Sequence, residues 1–156
     1  MISRKILGVR VDFGLNMEKA LDIIENNLLK DGKNHIVCTT NPEFVVDAQE
    51  DADFKKIIND SSMSVPDGIG VVLAKNYLSA VANLKRNFLF PGRAFLKGVV
   101  VGISSFIHKD EVKEERISGV DLTYEICNLS SKKGYSIFFL GGRAKNAVGN
   151  FIDEGD

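Results

Sequence analysis

The chain has 156 residues, 44% of them hydrophobic and 26% charged, with 20 basic side chains against 21 acidic ones. That length suffices for one domain with a real core, and a net charge of −1 excludes the global positive field behind non-specific nucleic-acid binding. Three prolines, 14 glycines and an ordinary apolar share exclude a collagen-like, proline-rich or disordered chain.

Lys5 to Phe13 alternates apolar and polar residues and reads as a strand at a sheet edge, with no signal-peptide core. Asn16 then suits an N-cap, and Met17, Ala20, Leu21, Ile24 and Leu28 recur at helical spacing until Gly32. His35 to Thr40 is rich in β-branched residues, as expected of a buried strand. Asn41 and Pro42 form a cap and first helical residue for Glu43 to Ala48, and the helical pattern restarts at Asp53. Met63-Ser64-Val65 predicts a short strand ending at Pro66-Asp67-Gly68, and Ile69 to Leu78 returns to helical period.

Residues 79–113 carry four phenylalanines, several glycines and the basic Lys85, Arg86, Arg93 and Lys97 without a strand period. Their most apolar stretch, Phe88 to Ile107, makes a poor bilayer span because it holds Pro91, Arg93 and Lys97. A second expectation for this segment is an amphipathic membrane-surface patch, set against the ordinary one that its aromatics fill the core. Ser118 to Lys133 reads as a helix stopped by Gly134, and Tyr135 to Leu140 as a strand ending in Gly141-Gly142. The alternation of strands and helices predicts an α/β fold: an open, mostly parallel, Rossmann-like sheet with helices on both faces. The expectation is a single domain over residues 1–156.

In such a sheet ligands bind beyond the carboxyl ends of the strands. The first loop there, Thr39-Thr40-Asn41-Pro42-Glu43, offers two hydroxyls and an amide beside a helix N-terminus, which suits a diphosphate or sugar hydroxyls. It also serves as an ordinary cap. The second, Pro66-Asp67-Gly68-Ile69-Gly70, is a common turn, and equally a carboxylate positioned to accept a proton beside two glycines that admit a ligand to the backbone. The third, Gly141-Gly142-Arg143, suits phosphate contact but matches neither dinucleotide nor P-loop fingerprints. His35 and His108 lack paired ligand spacing, and Cys38 and Cys127 form no C-x-x-C pair, so no metal site is expected. The cysteines read as core residues in a reducing, cytoplasmic compartment.

Four segments in order, Thr39-Thr40-Asn41-Pro42-Glu43-Phe44, Val65 to Val72, Glu115 to Leu122 and Phe138 to Gly142, resemble the TagA/WecG/CpsF family, glycosyltransferase family 26. Its teichoic-acid members are N-acetylmannosaminyltransferases. The resemblance covers about residues 3–78 and 114–150. It implies an inverting transfer of N-acetylmannosamine from UDP-N-acetylmannosamine to the 4-hydroxyl of N-acetylglucosamine on undecaprenyl diphosphate, in the linkage unit of wall teichoic acid. By the same resemblance Asp67 is the general base, Thr39 orients sugar or diphosphate, and Arg116 stabilises the leaving UDP. Thr40, Asn41, Gly68, Gly70, Asp121, Gly141 and Gly142 line the substrate pocket. No obligatory metal or other cofactor is implied.

The implied partners are the UDP-sugar, the lipid-linked acceptor, the inner face of the cytoplasmic membrane and a second copy of the chain, with no nucleic acid. Against the family pattern, residues 79–113 read as an atypical insertion. The later strands, a Gln-Glu motif and a basic C-terminal appendage are expected to be absent from these 156 residues. The alternative expectation is a catalytically inactive nucleotide-sugar-binding or membrane-surface assembly module.

Overall fold

A computed structural model describes residues 1–108 and 116–140. The chain divides into two compact units, Met1–Glu125 and Ile126–Asp156. The first opens with a hairpin: β1 (Ile2–Ile6) pairs antiparallel with β2 (Val9–Phe13), Ile6 facing Val9 across the two-residue turn Leu7-Gly8. Both turn residues have positive φ, 49° and 83°, the backbone that matches strand twist in tight hairpins. The alternation over Lys5–Phe13 therefore belongs to two strands, and Gly8 marks the break because it tolerates the left-handed conformation.

α1 (Met17–Ile23) is capped as its sequence predicts, Asn16 accepting from the Lys19 N–H, and continues as a π-helical turn over Ile24–Leu28. β3 (Val37–Thr40) leads through α2 (Pro42–Glu50) and α3 (Ala52–Asp60) to β4 (Met63–Pro66), which pairs parallel with β3. This strand–helix–strand unit is the crossover expected of an α/β fold. Asn41 caps α2 through the Phe44 N–H, and Asp51, two residues before the expected restart, caps α3 through the Phe54 N–H. Each described sheet has two strands, so the parallel part of the architecture consists of β3 and β4.

The hairpin is tied to β4 by a polar cluster that sequence periodicity did not reveal. Asp12 is fully buried and accepts from Ser3 Oγ, from Arg10 Nε and Nη2 at 3.1 and 2.7 Å, and from the Ser64 N–H at 2.9 Å. Arg10 also donates to the Ser61 carbonyl at 2.7 Å, and Ser64 Oγ to the Arg10 carbonyl at 2.8 Å. Burial alone would raise the Asp12 pKa, but the hydrogen bonds from Arg10, Ser3 and Ser64 override it and hold the carboxyl below its ordinary range. Around this cluster Ile6, Val9, Val11, Phe13, Val45, Ala48, Ile58, Val71 and Val72 form the core, with Cys38, Phe44 and Phe54 packed against it. Burial raises the Cys38 thiol pKa, in keeping with a core cysteine.

α4 (Ile69–Val81) is followed by α5 (Phe90–Ile107), an 18-residue helix within the segment that showed no strand period. The aromatics expected to fill the core do not: Phe88, Phe95 and Phe106 are 96%, 75% and 81% exposed. α6 (Gly119–Lys133) begins in the first unit. Within the second unit it ends at Gly134, φ 75°, whose N–H donates to the Ser130 carbonyl. Tyr135–Leu140, expected as a strand, is not one. β-prone residues form a strand only when their backbone finds a ladder partner, and none of the described strands pairs with this segment.

Candidate functional site at the ends of the parallel strands

Thr39 is the penultimate residue of β3 and Asp67 directly follows β4, so strand pairing brings their loops side by side. The Asp67 N–H donates to the Thr40 carbonyl at 2.9 Å, extending the ladder by one bond beyond β4. The loops touch through Gly70, where an added Cβ would sit 2.7 Å from Pro42 Cγ. Gly68 has φ 93° and its Cβ position lies 3.7 Å from Pro42 Cδ. Both glycines thus have a packing role: one permits the backbone turn into α4, the other lets the starts of α2 and α4 approach.

A third segment completes the arrangement. The Ile117 N–H donates to the Pro66 carbonyl at 2.8 Å, laying residues 116–118 beside the end of β4. Gly119 then opens α6 with its N–H on Asp67 Oδ2 at 3.2 Å. A Cβ on Gly119 would lie 2.9 Å from Thr39 Oγ1 and 3.0 Å from Asp67 Oδ2, so the hydroxyl and the carboxylate converge on this glycine. Thr39, Asp67 and Gly119 are all half-buried and retain access to solvent.

The N-termini of α2, α4 and α6 therefore meet at one edge of the β3–β4 pair. Free N–H groups and helix dipoles pointing at one place favour an anion such as a diphosphate. α2 has its Asn41 cap, whereas α4 starts at Gly68 without a side-chain cap. A carboxylate held by one backbone donor keeps a second oxygen available as a proton acceptor.

The other expected site residues fall in different places. Thr40 is fully buried and bonds to Ser64 Oγ at 2.7 Å, so its hydroxyl faces the interior, opposite to Thr39, as strand alternation requires. Asn41 uses its side-chain oxygen as a cap. Arg116 is exposed and held beside the end of β4 through its neighbour Ile117. Asp121 is exposed in the first turn of α6, where its charge complements the helix dipole and its N–H donates to Ser118 Oγ at 3.4 Å. Gly141 and Gly142 lie outside the described residues. Gly119 joins the site although the sequence marks it only as the start of a helical pattern, because its place beside Asp67 depends on the Ile117 N–H pairing with the Pro66 carbonyl.

The profile of the glycosyl transferase WecG/TagA/CpsF family matches residues 4–88, which include Thr39, Asp67 and the loops around them. The chain belongs to this family. A similar protein is the N-acetylglucosaminyldiphosphoundecaprenol N-acetyl-beta-D-mannosaminyltransferase of Bacillus subtilis (strain 168), 24% identical over 128 residues. That similarity takes in 82% of this chain and 38% of the relative, so the chain spans well under half the length of the curated protein it matches. For a WecG/TagA/CpsF chain, the strand-end pair Thr39 and Asp67 lies inside the family match, while Arg116 and Gly119 lie beyond it.

Proposed function

We propose that this protein is an inverting glycosyltransferase that transfers N-acetylmannosamine from UDP-N-acetylmannosamine to the 4-hydroxyl of N-acetylglucosamine on undecaprenyl diphosphate. The work would be done at the inner face of the cytoplasmic membrane, in teichoic-acid linkage-unit synthesis. The observation that carries the reading is the convergence of Asp67 and Thr39 on Gly119, at a strand end where three helices begin. Family membership and the name of the Bacillus relative support the choice of sugar and acceptor.

In this mechanism the acceptor 4-hydroxyl gives its proton to the free oxygen of Asp67 while its own oxygen attacks the anomeric carbon. The bond from that carbon to the diphosphate oxygen breaks, UDP departs with the electron pair, and the configuration inverts. The Gly119 N–H fixes one carboxylate oxygen, which leaves the other aimed rather than rotating. Thr39 Oγ1, beside the same glycine, orients the sugar or the diphosphate. The developing negative charge on UDP is met by Arg116, whose guanidinium suits two phosphate oxygens, and by the uncapped start of α4. No resident metal is needed in this scheme.

Donor binding tests the reading without requiring turnover. Titrating UDP-N-acetylmannosamine to millimolar concentration is expected to shift the backbone amide resonances of Gly119, Asp67 and Ile69. An unperturbed spectrum over those residues refutes the donor site.

A further inference from the structure

α5 is built inside out for water. At about 100° per residue, Phe90, Ala94, Gly98, Val101 and Ser105 share one face, and Ala94 is the one buried residue of the helix. Gly98 lies on that face against α4, its Cβ position 3.5 Å from the Tyr77 ring. The small residues thus face the neighbouring helix, while Phe95, Leu96, Val99, Val100, Ile103 and Phe106 are exposed on the opposite arc.

Charge is confined to one flank. Arg93 and Lys97, one turn apart and both exposed, border the apolar arc. Together with Leu84, Leu96 and Val100 they line a groove of about 320 Å³. Arg86, 5.9 Å from the Phe90 ring, and Lys85 add positive charge at the same end. The helix carries no acidic residue.

We infer that α5 is an in-plane docking helix for an anionic lipid bilayer, its apolar arc in the acyl boundary and Arg93 and Lys97 at the headgroups. Charge complementarity selects this occupant: an apolar face whose charged border, among the described residues of the helix, is basic matches a surface that is apolar within and negative at its edge. α5 is long and apolar enough to cross a membrane by length and composition. Spanning, however, would place Arg93 and Lys97 within the first half of its length, whereas lying flat keeps both at the interface. The inference names the surface that would bring the proposed transferase to a lipid-linked acceptor, and rests on that reading only for which membrane is met.

Vesicle flotation tests it without sugar donor or acceptor, so its failure is separate from failure of donor binding. The full chain is expected to float with vesicles of phosphatidylglycerol and phosphatidylcholine and to stay behind with phosphatidylcholine alone. Arg93→Gln with Lys97→Gln weakens binding about thirtyfold, the Boltzmann factor for two surface charges. Leu96→Glu with Ile103→Glu, at exposed positions, abolishes it while the circular dichroism spectrum is unchanged. Because the chain has no tryptophan, Val99→Trp at the middle of the exposed arc and Phe106→Trp near its end each report depth through quenching by brominated lipid. Equal depths support the in-plane helix. Unequal depths indicate a span and overturn it, as does absence of flotation, including the case in which the apolar arc instead mediates a dimer in solution.

Discussion

Gly119→Ala separates the packing of the candidate site from its chemistry. The new methyl would lie 2.9 Å from Thr39 Oγ1, 3.0 Å from Asp67 Oδ2 and 3.2 Å from Thr39 Cβ. Ordinary contacts begin near 3.4 Å, so both side chains must retreat by a few tenths of an ångström. Overpacking of this kind costs about 1–3 kcal/mol, and alanine's better helix propensity returns up to about 1 kcal/mol. The net loss of stability is therefore about 0–3 kcal/mol. The consequence for transfer is larger, since misplacing reacting groups by 1 Å costs on the order of 100-fold. Displacements of a few tenths of an ångström in two groups at once are expected to lower turnover about tenfold. The assay pairs urea unfolding with UDP release in the presence of a lipid-linked acceptor analogue. Turnover equal to that of the unmodified protein, with the variant folded, refutes the claim that Gly119 sets the spacing of Thr39 and Asp67.

Asp12→Ala leaves the Ser64 N–H and the half-buried Arg10 without their shared carboxylate. Arg10 keeps the Ser61 carbonyl and some solvent, so the expected cost in urea is about 2–4 kcal/mol, and a loss below about 0.5 kcal/mol contradicts the locking role. Because the folded Asp12 pKa is lowered, its contribution is complete above the ordinary carboxylate range and fades as pH falls through the lowered folded value. A urea midpoint that drops on acidification below about pH 4 in the unmodified chain, and less steeply in Asp12→Asn, is the expected pattern; parallel curves count against it. Gly70→Ala drives a methyl to 2.7 Å from Pro42 Cγ and is expected to lower stability by about 1–2 kcal/mol, measured by thermal unfolding. An unchanged midpoint contradicts the tight approach of the two loops.

Local chemistry made much of the scaffold legible. Asn16 and Asn41 are the caps their sequence context predicts, and the β3–α2–α3–β4 crossover follows from two short β-branched runs around helical spacing. Thr39 and Asp67 could be placed together because one strand–helix–strand unit separates them and parallel strands end on the same edge. What periodicity missed depends on pairing or on distant contact. The hairpin break at Leu7-Gly8 hides because Leu7, Val9, Val11 and Phe13 keep one alternating phase straight through the turn, while the buried Ile6 falls on the other. Tyr135–Leu140 has strand-forming residues and no ladder partner among the described strands. α5 escaped because its glycines and near-continuous apolar run give no polar face to count. Gly119 escaped because its closeness to Asp67 is created by Ile117 pairing with Pro66, which no local pattern encodes. For Thr40 the composition suggested a second ligand hydroxyl, whereas strand alternation sends it to Ser64.

The central claim is that Asp67 is the base of a sugar transfer, and the comparison of Asp67→Asn with the unmodified chain addresses it most directly. Asparagine keeps the shape and still accepts from the Gly119 N–H through its amide oxygen, but it cannot take a proton at the other position. With UDP-N-acetylmannosamine and a lipid-linked N-acetylglucosamine acceptor, turnover is predicted to fall by about 10²–10⁴-fold while donor binding and thermal stability stay as they were. Unchanged turnover in Asp67→Asn would contradict the account.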